Sequence, residues 1–231
     1  MRLHLYSSSL PTRAPDRTRR QLASSAIAVL LAPAILLHPR HALAGAQQYE
    51  PLADAVRAAL AEKIADGAPP TRHFARIEER IAFLDWLGEM SERLKARKPD
   101  YRTRVEFLRT LDYEAIRAGL DRQMVLGLIQ VESNFRKYVI SSAGARGYMQ
   151  VMPFWAQLIG DGDVKKLFDM RSNLRYGCVI MRHYLDLEKG DLFLALGRYN
   201  GSRGQSAYPN AVLAAWKNSW RYEPKRPASR Q

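Results

Sequence analysis

The stretch DRQMVLGLIQVESNF, residues 121–135, carries the main structural signal of the chain. Met124, Leu128 and Glu132 lie four apart and therefore stack on one face of a helix, beside Val125 and Ile129. Asp121 stands just before the apolar run, where a helix-capping side chain belongs. The glutamate falls on the apolar side. A carboxylate there must be paired, protonated or opened onto a cleft, because ionising it in an apolar setting is costly. Arg136, four residues on, offers an ordinary helix-surface pair as one explanation. Position alone leaves both a structural and a catalytic reading of Glu132.

The sequence that follows, SSAGARGYMQ at residues 141–150, is rich in residues that let the backbone turn and approach a ligand closely. Beside a lone acid it suggests a substrate cleft, although a Gly/Ser loop is also a common plain connection. Further out the pattern is helical. Leu52, Val56, Leu60 and Ile64 recur every four, and Asp66-Gly67-Ala68-Pro69-Pro70 stops that helix. A longer one follows through Phe74, Ile77, Ile81, Leu84, Leu87 and Leu94, ending at Lys98-Pro99. These two predict a small accessory hairpin with Trp86 in its packing. Short helical patterns around Val105, Leu108 and Leu111 and from Tyr113 to Ala118 come next, closed by Gly119. Pro153 opens another helix, Asn173 to Lys189 reads as a long one, Asp191 starts one through Tyr199, and the last spans about Pro209 to Asn218. No run alternates cleanly with period two, so the expected class is all-α.

Arg17, Arg19 and Arg20 precede a nearly uncharged stretch from Leu22 to Leu37, and Ala42-Leu43-Ala44 supplies the small residues of a cleavage site. This predicts a signal peptide over 1–44, with a periplasmic or secreted mature protein. The apolar run is short, broken by Pro33 and followed by Pro39 and Arg40, so no stable membrane anchor is expected after processing. Residues 1–44 hold six of the 36 basic and one of the 23 acidic residues, which leaves the remainder with an excess of eight positive charges. Such a surface suits an anionic cell wall or membrane, and export removes most of the reason to favour nucleic acid. The single cysteine, Cys178, excludes an intramolecular disulfide framework and reads as a small core residue. No cluster has metal-ligand spacing, and neither a metal nor a cofactor is expected.

Three separated pieces now form a pattern: QVESNF at 130–135, SSAGARGYMQVMP at 141–153 and RYNG at 198–201. In this order and spacing the chain resembles the soluble-type lytic transglycosylases of bacterial cell walls, whose catalytic domain is lysozyme-like and related to goose-type lysozyme. The resemblance covers about Val105 to Asn218. It implies a lysozyme-like catalytic domain at 100–222, after a helical extension at 45–99 and before a basic tail at 223–231. It further implies that Glu132 is the catalytic acid and that Ser141, Tyr148, Met149, Gln150, Tyr199 and Asn200 contact peptidoglycan glycan strands, with cell-envelope assembly proteins as candidate further partners. Two positions depart from the family's motifs. Tyr148 stands where leucine is usual, and Arg198 stands where the motif before Tyr-Asn has alanine.

The family's chemistry needs only one acid, which protonates the bond between N-acetylmuramic acid and N-acetylglucosamine and then helps the muramyl C6 hydroxyl close on C1. Most glycosidases use a second carboxylate, and Asp161, Asp163, Asp169, Asp186 and Glu188 all lie in turn or helix-surface patterns here. A goose-type lysozyme that uses water, and a wall-binding module without activity, are the other readings open at this point.

Overall fold

The computed structural model describes residues 47–67 and 71–224, so the predicted signal peptide and most of the basic tail lie outside the described residues. Eight α-helices occur among the described residues: α1 (Asp54–Ala65), α2 (Ile77–Leu94), α3 (Tyr101–Arg117), α4 (Arg122–Ser133), α5 (Pro153–Ile159), α6 (Met170–Leu187), α7 (Leu192–Asn200) and α8 (Ala207–Ala215). A 3-10 turn at Val164–Phe168 precedes α6, and a π turn at Trp216–Trp220 extends α8. There is no β-strand among these residues, only isolated bridges from Arg146 to Ile140 and to Val151. The all-α expectation holds.

The caps explain most boundaries. Asp100, Asp121, Asp169 and Asp191 each accept a bond from a first-turn backbone N–H, at the starts of α3, α4, α6 and α7. At the end of α3, Gly119 takes a left-handed φ of 65° while Leu120 N–H reaches back to Ala115 O at 2.8 Å. Residues 101–117, which the sequence broke into short pieces, are one helix. Asp112 and Glu114 interrupt its apolar pattern, yet both are buried, because arginines from elsewhere neutralise them. Arg72 and Arg122 bind Asp112 at 3.1 and 2.5 Å, and Arg175 binds Glu114 at 2.8 Å.

Helix α4 lies at the centre, packed against α3, α8 and the π turn. Gly127 makes the last contact possible: a Cβ there would come within 2.8 Å of the Trp216 backbone nitrogen. Phe107, Phe135, Tyr148 and Trp220 form an aromatic cluster beside it, with ring centroids 4.9 to 5.9 Å apart. Cys178 is buried on α6 and unpaired. The two N-terminal helices pack chiefly on the rest of the molecule rather than as an accessory hairpin, α1 against α5 and α6, and α2 against α3 and the π turn. Trp86 is accordingly a core residue, stacked on Phe83 and covered by the Arg122 guanidinium at 3.9 Å.

Candidate active site

Glu132 sits in the last turn of α4 and is only 4% exposed. Arg136 does not pair with it, since its guanidinium donates to Ser133 O at 3.0 Å. The carboxyl instead receives a hydrogen bond from the Tyr208 hydroxyl on Oε1, while Oε2 is buried without a partner. Burial pushes the Glu132 pKa from 4.5 up to about 8, against the opposing pull of the Tyr208 bond. At neutral pH the group is therefore mostly an uncharged acid. Burial pushes the pKa of Tyr199, on α7, well above the ordinary value, and the nearby Glu132 carboxyl adds to this. The Tyr199 hydroxyl donates to Met149 O at 2.7 Å, which ties α7 to the loop after α4.

That loop is built around glycine and asparagine. Gly147 has a φ of 76°, and a Cβ on it would come within 2.5 Å of both Asn173 Nδ2 and Leu167 O. The fully buried Asn173 accepts from Met149 N–H at 2.8 Å and donates to Arg146 O and Leu167 O at 2.9 and 2.8 Å. One side chain from the first turn of α6 thus fixes the path of residues 146–149. Gln150 has a φ of 47° and folds its amide back onto Gly147 O and Val139 O at 2.9 and 3.1 Å. Its Oε1 is buried and unpartnered, as is Asn200 Oδ1, whose Nδ2 bonds Ser202 Oγ at 3.0 Å. Buried acceptors left without donors are uncommon, and three of them belong to Glu132, Gln150 and Asn200. Such a set suits a ligand rich in O–H and N–H groups.

The other sequence-predicted contacts are placed differently. Ser141 Oγ accepts from Ala145 N–H at 3.1 Å and so closes the loop on itself. Tyr148, expected to meet a sugar, turns its ring into the core against Phe107 at 4.9 Å, and Lys98 donates to its hydroxyl at 2.8 Å. The larger tyrosine is accommodated because the cluster supplies an apolar bed and the lysine satisfies the polar end. Met149, expected to line a cleft, is buried over Gly177 on α6, where a Cβ would come within 2.2 Å of its sulfur. Neither side chain lines an open cleft in this structure.

No second acid is aimed at Glu132 by the residues the sequence singled out. Asp161 binds Lys166, Asp163 caps the 3-10 turn, Asp169 caps α6, Asp186 binds Arg182, and Glu188 is clasped by Arg198 and Arg203 at 2.7 Å each. Those two arginines hold the Glu188 carboxyl down at about 2. Sequence reasoning missed Tyr208 and Asn173, whose partners lie 76 and 24 residues away, and Gln47, whose amide reaches Gln150 O. No local pattern announces such pairs. Among the described residues, no helix is long and apolar enough to cross a membrane, and no group of His, Cys, Asp and Glu is arranged to hold a metal ion.

Comparison with known proteins adds to this geometry. Residues 110–212 match the model of the transglycosylase SLT domain family. The chain is 30% identical over 116 residues to the transglycosylase of Enterobacteria phage PRD1, covering 47% of this chain and 42% of the phage protein. It is 31% identical over 128 residues to the membrane-bound lytic murein transglycosylase C of Haemophilus influenzae, covering 49% of this chain and 34% of that protein. A protein of the same name from Mannheimia succiniciproducens is 42% identical over 69 residues, 26% of this chain and 19% of its own length. The chain thus spans less than half the length of the curated relatives it matches.

Proposed function

We infer, for a chain whose residues 110–212 form a transglycosylase SLT domain, that the protein is a peptidoglycan lytic transglycosylase with Glu132 as its catalytic acid. The observation that carries this reading is a buried glutamate on the apolar face of α4, bonded by one tyrosine hydroxyl and left with its other carboxyl oxygen unpartnered. The Tyr208 bond fixes Oε1, leaving Oε2 to carry the acid proton. Glu132 gives that proton to the glycosidic oxygen as the C1–O bond breaks and the N-acetylglucosamine side leaves as an alcohol. Positive charge develops at the muramyl C1 and ring oxygen. The muramyl C6 hydroxyl then bonds to C1 and passes its proton to the Glu132 carboxylate, which regenerates the acid. An intramolecular hydroxyl has a large effective concentration relative to water, so ring closure can outrun hydrolysis without a second carboxylate.

The catalytic unit is assigned to 100–222, preceded by the helices of 45–99. The amide of Gln150 and that of Asn200 are assigned to sugar hydroxyls and acetamido groups, with Ser141 at the rim of the site. Cleavage after Ala44 would deliver the chain to the periplasm, where its basic surface meets the anionic wall. The test of the central assignment is Glu132→Gln assayed on purified peptidoglycan. The amide keeps the shape but has no proton to give, so solubilisation should fall by ~10²–10⁴ while the far-ultraviolet circular dichroism stays unchanged. A folded variant that keeps more than about a tenth of the parent rate would move the acid elsewhere.

A further inference from the structure

The segment ahead of α1 has no regular secondary structure, yet its side chains are bound into the site. Gln47 is buried. Its Oε1 accepts from Met152 N–H at 3.2 Å, its Nε2 donates to Gln150 O at 3.3 Å, and its amide also lies at the Tyr199 hydroxyl. Tyr49 stands edge-on to Phe154 with ring centroids 5.7 Å apart. Glu50 accepts two bonds from Arg198 Nη1, at 2.6 and 2.9 Å. These partners lie on the loop after α4, at the start of α5 and in the last turn of α7, and one of them, Tyr199, is close to Glu132. Arg198, the residue that departs from the motif's alanine, is the one that holds Glu50.

We propose that residues 47–50 are an autoinhibitory strap, latched by the Glu50–Arg198 pair, that a glycan strand must displace to reach Glu132. The proposal rests on the reading of Glu132 as a glycan-cutting acid. A catalytic acid has to touch the bond it breaks, and this one is 4% exposed, bonded by Tyr208 and close to Tyr199, whose hydroxyl the strap's Gln47 amide meets. The side-chain amide of Gln47 and the acetamido group of an amino sugar carry the same C=O and N–H groups. They would therefore compete for Met152 N–H and Gln150 O. The latch is weak enough to open, since the Glu50 and Arg198 side chains are 45% and 22% exposed and exposed pairs contribute little. Its far end is anchored because α1 packs on α5 and α6, so the strap can peel away while the following helix stays in place.

The experiment compares the full processed chain with its Tyr49→Ala/Glu50→Ala variant, reading the release of soluble fragments from purified peptidoglycan and the hydrogen exchange of Met152 N–H. Removing an exposed ion pair and an aromatic contact should raise the initial rate roughly tenfold and speed Met152 exchange, with the melting temperature nearly unchanged. Added salt weakens the latch in the parent only, so the ratio of variant to parent rate should fall toward one as salt rises. Equal rates from both proteins, or a slower variant that remains folded, would overturn the strap and leave the transglycosylase reading standing. If neither protein releases any product, that underlying reading fails and the strap fails with it.

Discussion

Glu132 owes its chemistry to where α4 places it, on the apolar face and out of reach of Arg136. Its pKa of about 8 makes two pH dependences follow. Proton donation requires the acid form, so kcat/KM on peptidoglycan should be highest below that value and fall as pH rises through it. Stability follows the same group. Between the ordinary 4.5 and about 8 the folded protein binds more protons here than the unfolded chain, so this contribution is full at low pH and is lost as pH climbs through that window. Glu132→Gln should therefore melt above the parent at pH 8 and lose that advantage near pH 4, which calorimetry at both values checks. Tyr208→Phe removes the one bond that lowers the Glu132 pKa, so the alkaline limb of the rate profile should move upward. The variant should also lose roughly tenfold to a hundredfold in rate, the equivalent of a buried hydrogen bond worth about 1–3 kcal/mol. An unmoved limb would show that Tyr208 does not govern the acid. The acid was legible in the sequence because four-residue spacing fixes a helix face. Tyr208 was not, because what makes it functional is a contact with a residue 76 positions away.

Among elements, the loop joining α4 to α5 is the most demanding. It needs left-handed backbone at Gly144, Gly147 and Gln150, and its middle is held by Asn173 from α6. The glycines announced a turn in the sequence. The asparagine did not, since one at a helix start reads first as a capping residue. Gly147→Ala would force a Cβ against Asn173 and Leu167 O while keeping an unfavourable φ, and should destabilise the protein by about 2–4 kcal/mol in denaturant titrations. A loss under about half a kcal/mol, typical of an unconstrained surface site, would mean that the loop moves freely away from α6. Helix α3 shows where patterning misleads. The apolar pattern divided it into short pieces, whereas Asp112 and Glu114 are buried within one helix because arginines from other segments neutralise them.

Across the whole molecule, those same arginines join parts that the sequence kept separate. Arg72 lies ahead of α2 and Arg122 opens α4, and both close on Asp112 of α3, while Arg175 of α6 closes on Glu114. Arg175→Met should leave Glu114 buried without its main partner and cost about 3–5 kcal/mol of stability. A melting temperature within a degree of the parent would show the pair to be dispensable. The helices of 45–99 pack on the same core, so their removal should expose the apolar side of α3 that α2 covers. The central claim, that one buried acid lets a sugar's own hydroxyl close on its anomeric carbon, is tested most directly by mass spectrometry of peptidoglycan digested with the parent protein. Ring closure adds no water, so the fragments should end in 1,6-anhydro-N-acetylmuramic acid and resist borohydride. Fragments heavier by one water, with reducing ends that borohydride converts, would contradict it and identify a hydrolase.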